Sequence, residues 1–255
     1  MDKVIRQRLD ILLVEKGLCE SIQRAQSTIM AGLVSIDSVL VDKPGTNVPV
    51  NAVIHVKTPD FPYVSRGALK LEKALKSLEI DIHNDVCLDV GASTGGFTDC
   101  MLQFGAAKVY AVDVGYGQLS WKLRQDKRVI SIERTNIRYI NDDLIPEPID
   151  LATIDTSFIS LKIVVPSILK FLAEKARILA LIKPQFEVAK GSVGKGGVVR
   201  DPLLHDEVVN DLSLFFKGLG LETEAVITSP VLGPKGNTEF IISLKYRAGY
   251  CTQQC

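Results

Sequence analysis

The chain has 255 residues, 46% of them apolar, with 30 basic and 30 acidic side chains and no net charge. That is enough apolar material for a full core and more than one folding unit, while the charge balance removes any global electrostatic argument for nucleic acid or membranes. No apolar run reaches bilayer-spanning length, and the charged start MDKVIRQRLD lacks the apolar centre of a signal peptide, so a cytoplasmic location is expected.

In chain order, RLDILLVEKGL sets Leu9, Leu12, Leu13 and Val14 on one helical face and stops at Gly17. SIQRAQSTIMAGL opens with Ser21 as an N-cap and stops at Gly32. LVSIDSVLV then alternates around a turn, and DKPGTNVPVNAVIHV carries Pro-Gly and Asn punctuation between short strands. A helix-helix-strand module over residues 1–60 results. KTPDFPYV, with two prolines in a short polar span, reads as the linker, its last residues being 61–64.

From residue 65 to 248 the pattern changes. The amphipathic helix RGALKLEKALKSLEI is followed by strands near 86–91, 108–114, 129–133, 149–155, 177–183, 223–229 and 238–246, with helices between most of them. Such alternation predicts an α/β fold with a mostly parallel, Rossmann-like sheet, whose ligand sits beyond the carboxyl ends of the strands at the switch point.

The first strand of that domain runs into VCLDVGASTGGFTDC, and its loop has to hold something or merely turn. Gly91 and Gly96 have the separation of a P-loop, but Phe97 stands where the phosphate-binding lysine belongs. A dinucleotide loop needs a glycine at 93, where this chain has Ser93. The spacing suits a ligand without a pyrophosphate, of which S-adenosylmethionine is the commonest. An ordinary strand-to-helix turn is the competing reading. The next strand, KVYAVDVGYG, ends in Asp113, an acid placed to accept ribose hydroxyls.

Four charged residues stand out, and the topology of a parallel sheet alone places two of them at the cleft. Asp155 ends IDLATID, Lys183 ends ILALIK and is followed by Pro184, Glu239 opens EFIISLKY, and Lys70 lies on the entering helix. Each alone reads best as a solvated terminus. Together they suit methyl transfer from a sulfonium to an alcohol. The alcohol must lose or share its proton, and a lysine helps only as a neutral amine, which desolvation and a second nearby ammonium favour. Carboxylates oppose that shift but orient the amines.

SRGALKL, LDVGASTGGF, AVDVGYGQL, ERTNIR, DTSFISL, LIKPQFE and GNTEF, in this order across nearly the whole chain, resemble the motifs of the TlyA family, and the domain that carries them is similar to FtsJ-like ribosomal RNA 2′-O-methyltransferases. The resemblance implies an S-adenosylmethionine-dependent 2′-O-methylation of cytidine in 16S ribosomal RNA, 23S ribosomal RNA or both, a catalytic tetrad Lys70, Asp155, Lys183 and Glu239, and an S-four-type RNA-binding module at residues 1–60 signalled by RLD and SIQRAQ. The candidate cofactor residues are Asp89, Gly91, Ala92, Ser93, Gly95, Gly96 and Phe97 on the first loop, with Asp113, Val114 and Asn136. Thr156 departs from the pattern, where a small apolar residue is expected, and the tail GYCTQQC matches nothing.

The partner so implied, ribosomal RNA, needs cations, yet residues 1–64 hold seven Lys or Arg against seven Asp or Glu. Candidate contacts are therefore individual: Arg8, Arg24 and Lys43 in the first module, then Arg66, Lys73, Arg134, Arg138 and Lys190, the last in the glycine-rich span VAKGSVGKGGVVRD. His55, His83 and His205 are isolated, and Cys19, Cys87, Cys100, Cys251 and Cys255 lack paired spacing, so no metal site is expected. Members of the family are also called haemolysins, so a membrane-lytic protein is one alternative. An RNA-binding protein on a silent methyltransferase fold is another. The first lacks a strongly cationic amphipathic helix, and the tetrad weighs against the second.

Overall fold

In the computed structural model the chain divides into two units, Met1–Pro62 and Tyr63–Cys255. The structure describes residues 5–19, 21–30, 32–57, 62–194 and 196–247. The tail with Cys251 and Cys255, position 195 and the first linker position, 61, lie outside the described residues, as does the side chain of Lys190.

The first unit contains β1 (Arg6–Arg8), α1 (Leu9–Glu15), α2 (Ile22–Met30), β2 (Val34–Ile36), β3 (Val39–Leu40), β4 (Asn47–Pro49) and β5 (Ile54–Val56). The apolar face of α1, Leu9, Leu12 and Leu13, packs on Ala25 and Ile29 of α2 and on Val34 and Val48. Ser21 caps α2 as expected, its Oγ accepting the Arg24 N–H at 3.2 Å. Strands β2 and β3 join through Asp37 and Ser38, both at positive φ, the backbone a tight hairpin requires. The antiparallel pairing of β1 with β4 has no counterpart in the sequence reading, because RQR offers no apolar alternation.

The second unit runs α3 (Ala68–Ser77), β6 (Val86–Val90), α4 (Gly96–Gln103), β7 (Lys108–Val112), α5 (Trp121–Arg124), β8 (Val129–Ile132), β9 (Ile149–Ile154), α6 (Leu161–Ile168), β10 (Leu172–Ile182), α7 (Pro184–Glu187), α8 (Pro202–Gly218), β11 (Glu222–Thr228) and β12 (Phe240–Arg247). Its seven strands form one sheet in the order β11-β12-β10-β9-β6-β7-β8. Strands β6 to β10 are parallel, and β12 is antiparallel to both β10 and β11. The central runs are mostly apolar because both faces are covered, with Leu88, Ile149, Ile154, Ile178 and Ile182 fully buried. The chain goes from β6 outward through β7 to β8, then returns to β9 on the other side of β6. The switch point therefore lies between β6 and β9.

Tyr63 and Val64, read from sequence as the end of the linker, pack into this unit: Tyr63 is buried and the Val64 N–H donates to Asp99 Oδ2 at 2.8 Å. Helices lie in four of the six connections between these strands, in keeping with the expectation of helices between most of them; two 3-10 turns join β8 to β9, and one precedes β12. Among the described residues no helix is long and apolar enough to cross a membrane, and no group of three His, Cys, Asp or Glu could hold a metal ion.

Candidate active site

The site begins where β6 and β9 end side by side. Gly91 follows β6 at φ +86, and a Cβ there would stand 2.7 Å from the Asp155 carbonyl oxygen. Only glycine allows that backbone and that approach together. The chain then climbs through Ala92, Ser93 and Thr94 to Gly95, at φ +94, from which α4 starts. Gly95 faces away from the cleft, towards Leu119 and Leu123, whereas Gly91, Ala92, Ser93, Gly96 and Phe97 line it.

Asp113, just past β7, accepts the Ser93 N–H with Oδ2 and the Gly115 N–H with Oδ1, both at 2.7 Å. Each carboxylate oxygen keeps a lone pair for a further donor. An acid that is pinned to the glycine loop and still half-exposed fits a vicinal diol such as the ribose of a nucleoside cofactor. Val114 beside it is exposed.

Two other cofactor candidates are placed differently. Asp89 has no exposure; Thr98 Oγ1 donates to its Oδ2 at 2.6 Å, and Thr153 Oγ1 lies 3.3 Å from its Oδ1. It supports the loop from behind and does not line the cleft, and burial pushes its carboxyl up to about 7. The Asn136 amide oxygen is turned back onto Arg138, accepting from its backbone N–H and its Nε at 3.1 and 3.2 Å.

The four charged candidates meet in one cleft of about 260 Å³. Lys70 Nζ lies 2.7 Å from Glu239 Oε2 and 3.8 Å from Asp155 Oδ2, and the other oxygen of Asp155, Oδ1, lies 2.6 Å from Lys183 Nζ. Lys183 also donates to Ser157 Oγ at 3.0 Å. Topology explains the convergence. Asp155 follows β9 and Lys183 follows β10 at the same edge of the parallel sheet, and Glu239 precedes β12, whose Phe240 pairs with Ile182. Lys70 enters from α3. Lys70, Lys183 and Glu239 are 8%, 7% and 1% exposed, so the alternative of solvated strand ends does not apply. Asp155 is partly exposed, its side chain at 22%, and burying the other three charges is costly unless each finds a partner. Here two carboxylates alternate with two ammonium groups.

Several contributors escaped the sequence reading. Ser157 and Ser65 line the cleft, and Ser65 Oγ rests against Gly96, where any side chain would collide. Asn237, 2% exposed, accepts the Val199 N–H at 3.1 Å and donates to the Gly197 carbonyl at 3.0 Å. It thereby ties the glycine-rich span to the segment that leads into Glu239. The hydroxyls were recognisable as polar residues beside strand ends. The Asn237 contact crosses forty positions, and no spacing rule finds it. The Thr156 hydroxyl, at the position that departs from the family pattern, is buried with no hydrogen-bond partner among the described residues.

The RNA candidates are distributed over both units. In the first, Arg8 is held by Asp10 through two bonds of 3.1 and 2.7 Å, and that contact draws the Asp10 carboxyl down to about 2. Arg24 is half-buried on α2 and Lys43 is exposed. In the second, Arg66 and Lys73 are exposed around the start of α3, close in sequence to Lys70, and Arg66 stands between the cleft residues Ser65 and Gly67. Arg134 lies 4.1 Å over the ring of Tyr116 and Arg138 5.0 Å over Tyr139.

This sheet order, with a glycine loop, an acid just past the second strand and a lysine-carboxylate chain at the switch point, defines a methyltransferase of the FtsJ-like class, whose family model matches residues 63–246; an S4 domain matches residues 7–54. The chain is 46% identical over 94% of its length to the 16S/23S rRNA (cytidine-2′-O)-methyltransferase TlyA of Mycobacterium tuberculosis, covering 90% of that protein. It is 42% identical over 92% of its length to Hemolysin A of Brachyspira hyodysenteriae, covering 98% of that protein. A solved structure described as a hemolysin, from Streptococcus thermophilus, superposes with a TM-score of 0.75 at 40% identity, covering 96% of this chain and 90% of that one. The chain belongs to the TlyA family.

Proposed function

We propose that this protein transfers the methyl group of S-adenosylmethionine to the 2′-hydroxyl of a cytidine in ribosomal RNA. The observation that carries the reading is the continuous chain Glu239–Lys70–Asp155–Lys183 at the mouth of the glycine loop. S-adenosylmethionine supplies an electrophilic methyl on a sulfonium and needs no help to lose its thioether. What the protein has to supply is a better oxygen nucleophile in the right place.

The loop Gly91–Phe97 and Asp113 would hold the cofactor, Asp113 taking the ribose hydroxyls with its spare lone pairs. Lys183 is the residue for the ribose proton: its amine faces the cleft, and Asp155 fixes its direction. Lys70, clamped by Glu239, aligns Asp155 from the other side. The S4 domain and the dispersed arginines would position the RNA, since phosphate contacts set register while the reaction is confined to one ribose. The M. tuberculosis relative is named for both ribosomal subunits, so both are candidate substrates.

The test is methylation of purified 30S and 50S subunits from a strain lacking the gene, with the cofactor labelled in its methyl group, followed by mapping of ribose methylation. Label at the 2′-oxygen of a cytidine supports the reading. Label on a base, or none on either subunit, overturns it.

A further inference from the structure

We propose that Ser157 is a catalytic residue that relays the ribose proton to Lys183. The proposal deepens the reading above and rests on it. Ser157 lines the cleft with the tetrad, is exposed to it, and its Oγ is the second acceptor of Lys183 Nζ at 3.0 Å. A hydroxyl can accept one proton while giving up its own.

The backbone holds this serine with care. The residue after it, Phe158, takes φ +64, a left-handed conformation costly for a bulky side chain, while the residue itself is 90% exposed. Phe158 packs on Phe186 with ring centroids 5.0 Å apart, and Phe186 lies on α7, three residues after Lys183. The turn that carries Ser157 and the turn that carries Lys183 are thus joined twice, by the aromatic pair and by the Nζ–Oγ contact. Strained backbone clusters where geometry is set for function.

With the neutral amine, the step balances as follows. The ribose 2′-O–H proton passes to Ser157 Oγ while the Ser157 hydroxyl proton passes to Lys183 Nζ, forming an ammonium that Asp155 stabilises. The 2′-oxygen forms a bond to the methyl carbon as the carbon–sulfur bond breaks, and its electron pair stays on the sulfur. Serine ends unchanged, and the sulfonium charge is replaced by the lysine ammonium.

The experiment is single-turnover methyl transfer on the ribosomal subunit that takes up label in the test above, with saturating cofactor, using Ser157→Ala, Ser157→Thr and Lys183→Ala, and calorimetric cofactor affinity as the check on folding. Ser157→Ala is expected to slow transfer about 10- to 100-fold, the range of a lost proton-transfer group, with cofactor affinity unchanged. Ser157→Thr, which keeps the hydroxyl, is expected to restore most of the rate. In mixtures of water and deuterium oxide the wild-type rate should bow with isotope fraction, as two protons in flight require, and the alanine variant should be linear. A Ser157→Ala rate equal to wild type, a threonine variant as slow as alanine, or a linear wild-type response would each overturn the relay. If Lys183→Ala is dead while Ser157→Ala is unimpaired, only the relay fails. If both retain full rate, the reading of the site itself fails.

Discussion

Gly233 faces the carboxylate of Glu239 with no side chain between them, and a Cβ at Gly233 would overlap its Oε1 and Cδ. Glu239 is 1% exposed and holds Lys70 with its other oxygen at 2.7 Å, so it has little room to retreat. Gly233→Ala should therefore unseat Glu239 from Lys70 without touching substrate or cofactor. The backbone at this position is one that alanine adopts freely, so folding should survive. We expect kcat to fall at least about 10-fold, because disturbing a buried ion pair costs several kcal/mol, with cofactor affinity within about twofold. Wild-type turnover by the alanine variant would show that Glu239 does not support the site through Lys70.

Asp113 gives a binding test that is separate from the chemistry. Its two oxygens pin Ser93 and Gly115 and keep lone pairs for a diol. Asp113→Ala removes a charged acceptor and should weaken S-adenosylmethionine by about 1.5–3 kcal/mol, or roughly 10- to 100-fold in Kd. Asp113→Asn should lose less, as the amide oxygen still accepts. RNA affinity should not move. Calorimetry with the cofactor settles the point, and equal affinity for wild type and the alanine variant would remove Asp113 from the site.

Asp89 predicts a pH signature in stability. Its carboxyl is buried between Thr98 and Thr153 and is pushed up to about 7 by burial, against an unfolded value near the usual ~3.9. The folded state therefore binds a proton that the unfolded state has already released. Stability from this group is full below about pH 4 and is lost as pH rises towards 7. Asp89→Asn cannot ionise. Relative to wild type its unfolding free energy should climb between about pH 4 and 7 and then level, by a few kcal/mol at most. Denaturant melts across that range provide the check; a difference independent of pH would mean that Asp89 stays ionised in the fold.

Much of this site is written in residue order, for a physical reason. A parallel sheet delivers strand ends to one edge, so an acid ending IDLATID and a lysine ending ILALIK have to approach each other, and Asp155 and Lys183 do, at 2.6 Å. The strands themselves were legible because burial on both faces makes them mostly apolar runs. The misses share a different cause. The β1–β4 ladder consists of three-residue strands, one of them the polar run RQR, and Asn237 reads the backbone of a span forty positions away. Asp89 was assigned to the cofactor because it sits in the loop motif, but strand alternation turns its side chain inward to Thr98. Asn136 likewise spends its amide oxygen on Arg138. Local pattern specifies which residues reach an edge of the sheet. Which way each side chain then points is decided by neighbours that the pattern does not contain.

Lys183 is where charge and chemistry can be separated. It is 7% exposed, its Nζ lies 2.6 Å from Asp155 Oδ1, and it faces the cleft from a position locked by Pro184, the first residue of α7. If this amine receives the ribose proton, its contribution belongs to the transition state. Lys183→Ala should then abolish transfer while cofactor and RNA affinities stay near wild type. Lys183→Arg is the sharper variant. A guanidinium keeps the positive charge and can still pair with Asp155, but it does not give up its proton in a protein and cannot serve as a base. Its rate should fall nearly as far as that of the alanine variant. An arginine variant that keeps most of its rate at neutral pH would make Lys183 a fixed charge that positions the ribose, and the proton would then have to leave through water or Lys70.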